Sequence, residues 1–369
     1  MVTIVGGLVV TDSLTGVGPT GGWLWKHAET ARQVISASLM FDAYRTVDVM
    51  SGLRHTVEVI TEHDALIDGV RLHYAVAGEG SPVVLVPGQS FPWQSYQKVM
   101  PALAKAHRVY ALDVRGHGKS EHTPGQYTFA RCGKDLVGFL REVVKAPAIV
   151  SGNSSGGLMC VWAAANAPEL VRAVFAEDPP LFSSEWPRMR DDTWVHDFFT
   201  HVVATLPDLA GFFSTLKVPT KPGKKLISFP RPLAWLLGGA IRRHQRAKPG
   251  QPVDLPWLPM QVRLFVRGLS EYDVGFTQAC VDGSICDMDH ADCLSRVRCP
   301  MVLLQASSFT DPELGLVGAM DDADVALAKA LKPDLIVESW PKPHVVHLAA
   351  PKEWLALLAR LEAMAAQAP

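Results

Sequence analysis

Residues 148–162 read AIVSGNSSGGLMCVW, and the folding of this stretch decides how the rest of the chain is arranged. Ala148-Ile149-Val150 is a short apolar run of strand type, and an apolar helical pattern begins near Leu158. Between them lies Gly152-Asn153-Ser154-Ser155-Gly156, a turn of small residues. In a strand–turn–helix unit with Gly-x-Ser-x-Gly at its apex, the glycines let the backbone bend so tightly that the serine oxygen projects clear of the sheet. Only one register suits the chain, because an apex at Ser155 would put Asn153 where a small residue is needed. Ser154 is therefore the candidate nucleophile. A Gly/Ser loop that merely caps a helix has the same composition, so the flanking chain must decide.

On the N-terminal side, Thr56-Val57-Glu58-Val59-Ile60 alternates like a strand, and residues 70–77 form another after the turn dipeptide Asp68-Gly69. Residues 82–86 (PVVLV) are a continuous apolar run, as expected of a strand covered on both faces. A helix is predicted over 95–105, a strand over 108–112 and a helix over 129–144. After the elbow come a helix over 156–167 and a strand over 171–176. Strands and helices alternating at this spacing predict an α/β fold: a mostly parallel central sheet with helices on both faces. The alternation stops after Pro180 and resumes with strands over 300–305 and 335–340 and helices over 321–331 and 351–364.

The whole chain has 369 residues, with 35 Lys+Arg against 37 Asp+Glu, which gives no general argument for a nucleic-acid partner. A hydrophobic content of 48% and a charged content of 20% fit a well-buried globular protein. The six cysteines lack the close Cys-x-x-Cys pairs of a zinc site, so no metal is expected, and they read as reduced and buried. Residues 1–10 are apolar but carry no basic leader, and no run of about twenty apolar residues follows. The expectation is a soluble, cytoplasmic protein without membrane insertion. Residues 23–40 fit one helix, laid against the core or against a second copy, which would make a homodimer.

Residues 84–88, the run Asp113-Val114-Arg115-Gly116-His117-Gly118-Lys119-Ser120 and the elbow, in that order, resemble the α/β-hydrolases. The resemblance implies a hydrolase core over 56–180 and 291–369, a helical cap over 181–290, and an N-terminal extension over 1–55 that it does not cover. It also implies a triad in the order nucleophile, acid, histidine, with no cofactor. Of the two histidines after the last strand, His344 stands seven residues before Pro351, as the family's base does; His347 is then a packing residue. For the acid the resemblance offers Glu177, directly after the strand that follows the elbow helix, with Asp311 as the rival. The oxyanion donors would be the backbone N–H groups of Ser155 and Gln89.

Residues 151–158 (SGNSSGGL), 177–182 (EDPPLF) and 344–348 (HVVHL) are similar to those of the zearalenone lactonases, and this likeness favours Glu177. It implies an apolar macrocyclic lactone as substrate, opened through an acyl-enzyme, and a role in mycotoxin detoxification. Carboxylesterases, carbon–carbon bond hydrolases, cofactor-free haloperoxidase-like hydrolases and non-catalytic binding proteins of the same fold are the alternatives. Dehalogenases and epoxide hydrolases of the fold carry aspartate where this chain has Ser154. In the cap, Trp186 is the candidate for substrate contact, because such rings bury large area. Between Asp208 and Asp254 nine Lys and Arg occur without an acidic residue, which reads as a solvated basic face unless an anionic partner covers it.

Overall fold

The computed structural model describes residues 59–367 except 207 and 229, together with two short strands near the start, β1 (Thr3–Val5) and β2 (Leu8–Val10), which pair antiparallel. The chain divides into two compact units, Met1–Asp42 and Ala43–Pro369. The expected helix over 23–40 and residues 56–58 of the expected first strand lie outside the described residues.

The second unit is built on one eight-stranded sheet. Its first strands are β3 (Thr61–Ile67), β4 (Val70–Ala77), β5 (Ser81–Val86) and β6 (His107–Leu112). β7 (Ala148–Asn153) and β8 (Val171–Glu177) follow. A two-residue pair, β9 (Lys217–Val218) with β10 (Ile227–Ser228), stands apart. β11 (Met301–Gln305) returns to the sheet, β12 (Phe309–Asp311) and β13 (Gly315–Val317) form a hairpin, and β14 (Ile336–Ser339) is last. The order across the sheet is β14-β11-β8-β7-β5-β6-β4-β3. The pairs from β14 to β6 are parallel, and β4 is antiparallel to both β6 and β3.

The period of two along a strand divides the core between the faces of this sheet. Val84, Val86, Val150 and Val174 pack on one face with Leu136, Phe139 and Leu158. Val83, Leu85, Ile149 and Phe175 pack on the other with Tyr96, Met100, Trp354 and Leu358. Each such aliphatic side chain contributes about 1.5–3 kcal/mol when fully buried. The helix after the elbow, Ser155–Asn166, is apolar nearly all round and lies in the interior. It approaches the helix Phe129–Phe139 so closely that a Cβ on Gly133 would sit 2.4 Å from the Trp162 ring.

Four expectations need correction. No strand is expected over 61–67, yet Thr61–Ile67 is the edge strand of the sheet, because its polar side chains find partners: Asp64 and Glu62 meet the Nδ1 and Nε2 atoms of the buried His73 on β4, at 2.9 and 2.8 Å. The helix expected over 95–105 is a 3-10 turn, Trp93–Lys98, followed by one α-turn, Met100–Leu103, with Pro101 at its start, where a missing N–H is tolerated. The helix expected over 129–144 changes at Leu140 into a π-turn, Leu140–Val144. Between β8 and β11 come the helices Trp194–Thr205, Leu209–Thr215, Arg231–Ala247, Met260–Ser270 and Val274–Val281, in the stretch expected to be the cap. Cys286 and Cys299 are half-buried rather than buried, and all six cysteines are free.

Candidate active site

β7 ends at Asn153, and Ser154 turns the chain with φ 54° and ψ −128°. Such a backbone costs on the order of 1–3 kcal/mol and persists only where neighbours hold it. Here the Ser154 N–H donates to the Glu177 carbonyl on β8 at 2.8 Å, and the Ser154 carbonyl accepts from Gly157 N–H at 2.8 Å. Both elbow glycines are sterically required. A Cβ on Gly152 would lie 2.2 Å from the Gly156 carbonyl oxygen, and one on Gly156 would lie 2.3 Å from that of Val86. Among the described residues, six non-glycine residues have positive φ, and Ser90, Ser154, Asp178 and Phe182 are four of them. Those four follow β5, β7 and β8, so the strain collects at the carboxyl edge of the sheet.

The carboxylate that meets His344 is Asp178, and the expectation of Glu177 needs correction. Asp178 Oδ2 lies 2.6 Å from His344 Nδ1, and Oδ1 accepts from Ala306 N–H at 2.9 Å. The Asp178 side chain is buried, whereas that of His344 is 45% exposed and so open to an incoming substrate. Desolvation by the surrounding loops pulls the pKa of the partly exposed His344 down, but the hydrogen bond and the charge of Asp178 carry it above its ordinary value. With Nδ1–H donated to Asp178, Nε2 is the atom free to accept a proton.

Glu177, the last residue of β8, points elsewhere, because the chain leaves the extended form at Asp178, whose φ is 45°. It is fully buried, and its Oε1 accepts from the N–H groups of Val346 and His347 at 2.6 and 3.1 Å. Its Oε2 accepts from Trp354 Nε1–H at 2.7 Å and lies 2.9 Å from His347 Nδ1. His347 stacks on Tyr96 with centroids 4.1 Å apart, in keeping with a packing role. The rival Asp311 accepts from Gly223 N–H at 2.7 Å and from Glu313 N–H at 2.9 Å. Those bonds, that to Glu313 first, hold its pKa below the usual carboxylate range and occupy it in closing the β12–β13 hairpin.

Three loops are thus tied together by groups that carry no chemistry themselves. Asn153, just before Ser154, donates through Nδ2 to the His344 carbonyl at 3.0 Å and to Glu177 Oε1 at 3.3 Å. The elbow, the Asp178 loop and the His344 loop therefore share one buried polar network. The Ser154 hydroxyl and the His344 ring are not hydrogen-bonded to each other, a contact that in unliganded sites commonly tightens only when substrate arrives.

The expected oxyanion donors lie on either side of Ser154. Ser155 opens the helix Ser155–Asn166, so its N–H belongs to the first turn, which has no intrahelical partner. The loop after β5 crosses close by: a Cβ on Gly88 would lie 2.9 Å from Ser154 Cβ. The Gln89 side chain reaches away, donating through Nε2 to Tyr272 Oη and Thr277 Oγ1, each at 3.0 Å. Cys280 Sγ donates to Gln89 Oε1 at 3.5 Å. The residue beside the elbow is thereby fastened to the helix Val274–Val281.

Trp186 is packed against Gly283, where a Cβ would lie 2.5 Å from its ring, and beneath the Arg190 guanidinium at 5.2 Å. No contact among the described residues links it to Ser154 or His344. Two cavities of about 600 Å³ lie in the same part of the chain, and neither is lined by the Ser154 loop. The first is walled by Trp194, Phe198, His201, Leu216 and Arg231. Phe198 lies 6.5 Å from Phe265, which lies 6.0 Å from Phe91 in the loop after β5, so aromatic rings bridge this cavity and the elbow side of the sheet. Sequence reasoning missed Asp178, Asn153, Tyr272 and Thr277. Only Asp178 left a signal, as one of two adjacent acids at a strand end.

The strand order, the elbow and the loops at the carboxyl edge are those of the α/β-hydrolase fold. The family model described as "alpha/beta hydrolase fold" matches residues 81–251. The chain has the α/β-hydrolase fold, with a serine at the elbow. It is 34% identical over 119 residues to a soluble epoxide hydrolase of Corynebacterium sp. (strain C12), covering 32% of this chain and 42% of that protein. Bifunctional epoxide hydrolase 2 of Sus scrofa is 37% identical over 119 residues, 31% of this chain and 21% of that one. The chain thus spans less than half the length of these curated relatives. Among solved structures, the epoxide hydrolase CorEH superposes with a TM-score of 0.59 at 18% identity, over 83% of this chain and 99% of that one. No helix among the described residues is long and apolar enough to cross a membrane.

Proposed function

We propose that the chain is a serine hydrolase of carboxylic esters acting through an acyl-enzyme, with a bulky lactone of the zearalenone type as its substrate. The observation that carries the reading is the buried Asp178 carboxylate 2.6 Å from Nδ1 of His344, on a loop fastened to the elbow by Asn153. In this reaction His344 Nε2 takes the proton of Ser154 as Oγ attacks the ester carbonyl. Asp178 holds the ring and stabilises the imidazolium. The backbone N–H groups of Ser155 and Gln89 stabilise the oxyanion. His344 then returns the proton to the leaving alkoxide, and a water activated by the same ring releases the acid. In a lactone both products stay on one molecule, so the ring opens without losing a fragment.

The names of the relatives suggest epoxide opening as a second reading, but Ser154 argues against it. Serine attack on an epoxide carbon would give an ether, which no water in the site could cleave, whereas attack on an ester gives an acyl-enzyme that water can. The local likeness of residues 151–158 and 344–348 to zearalenone lactonases, and the aromatic path through Phe198 and Phe265, support a large apolar ring as substrate. A turnover screen with zearalenone, simple p-nitrophenyl esters and styrene oxide tests the proposal. Ester or lactone turnover lost in Ser154→Ala, with stoichiometric fluorophosphonate labelling of Ser154, is the expected result. Epoxide turnover that survives Ser154→Ala, or a Ser154 inert to the probe, would overturn it.

A further inference from the structure

The helix Arg231–Ala247 buries Ala234, Leu237, Gly238 and Ile241, one stripe at helical spacing. The opposite face is exposed, and only its second half is polar. Its first half presents Leu233, Trp235 and Leu236, and its second half presents Arg242, Arg243 and Arg246. Trp235 is 77% exposed, and Trp257, which lines the same open groove of about 600 Å³, is 63% exposed. Two tryptophans left in water side by side are uncommon on a monomer and mark an interaction surface. Arg243 and Arg246 have no ion-pair partner among the described residues; Arg242 alone reaches an acid, Asp208, at 3.6 Å.

We infer that this outer face docks on the surface of an anionic lipid bilayer, with Trp235, Trp257, Leu233 and Leu236 entering the headgroup layer and the arginines meeting lipid phosphates. The choice among occupants follows from charge and polarity together. Between Asp208 and Asp254 the chain carries nine Lys and Arg and no Asp or Glu, so a second copy laid on this face would set cation against cation. A nucleic acid would neutralise the arginines and could stack on the tryptophans, but it would leave Leu233 and Leu236 in water. A bilayer with acidic headgroups satisfies both halves of the helix, as amphipathic helices lying in the interface do. The inference does not rest on the proposed chemistry, since it uses none of the residues at Ser154.

The test is co-sedimentation of the full chain with vesicles of phosphatidylcholine alone and with vesicles containing roughly a third phosphatidylglycerol. Partitioning should be at least about tenfold stronger on the anionic vesicles and should fall with added salt. Replacing Arg242, Arg243 and Arg246 together by Gln should weaken it about 100-fold, and Trp235→Ala with Trp257→Ala should weaken it at least about tenfold. All of these side chains are exposed, so unchanged thermal melting is expected and serves as the control. Absence of partitioning by the folded wild-type chain, or partitioning indifferent to the tryptophans, would overturn the inference. So would binding to a DNA oligonucleotide in preference to the vesicles.

Discussion

The carboxyl edge of the sheet and the outer face of the helix Arg231–Ala247 use the same residue types to opposite ends. At the edge, Trp354 is fully buried and donates its indole N–H to Glu177. On the helix, Trp235 stands 77% exposed. At the edge, Glu177 and Asp178 are each held by several donors, while Arg243 and Arg246 on the helix are exposed, with no ion-pair partner among the described residues. The contrast shows where tolerance to change should lie. A buried polar group that loses its partner costs free energy, and each substitution in that network strands a partner. An exposed side chain with no partner can be exchanged without disturbing the fold.

The sharpest way to break this contrast is Ser154→Ala, expected to lower ester turnover by on the order of 10⁶ while thermal melting stays put. Retained turnover would move the chemistry elsewhere. Asp178→Asn should lower kcat/KM by on the order of 10⁴. Its pH profile carries a second signature. In the wild-type chain His344 must be neutral to take a proton, and Asp178 raises its pKa above 6.5, so activity should fall as pH drops through that raised value. In the Asn variant the acidic limb should shift to lower pH. The linkage to stability runs in the same sense: the imidazolium–carboxylate pair stabilises the fold fully below about pH 6.5 and is lost as pH rises through the raised pKa.

Glu177→Ala should act on stability more than on the chemical step. It leaves His347, Trp354 and two backbone N–H groups without their buried acceptor, a loss of about 3–5 kcal/mol in chemical denaturation. If that variant melted normally but lost turnover, Glu177 would regain the role expected of it. Gln89→Ala should have the smallest effect at the edge. Its side chain meets Tyr272 and Thr277, while the proposed oxyanion donor is its backbone N–H. A change in KM of up to about tenfold with kcat nearly kept is expected, since a lost pair of neutral hydrogen bonds is worth only about 1–2 kcal/mol. At the far end of the scale, Trp235→Ala should change stability by no more than about 0.5 kcal/mol.

The amino-acid sequence by itself determined the sheet, the elbow and the placing of Ser154 at its apex, because these are local matters. Alternation, apolar runs and obligatory glycines are written over a few residues, and Gly152 and Gly156 prove to be sites where no Cβ fits. Polar strand β3 escaped because His73, the partner that makes its carboxylates acceptable, lies on another strand. The choice of acid belonged to the tertiary structure alone. Glu177 and Asp178 are neighbours in the chain, and either could follow a strand. Which one meets His344 depends on the face each presents and on what Asn153, Ala306 and Trp354 offer there. The contacts to Ala306 and Trp354 span more than a hundred residues of sequence, a distance over which no local pattern carries information.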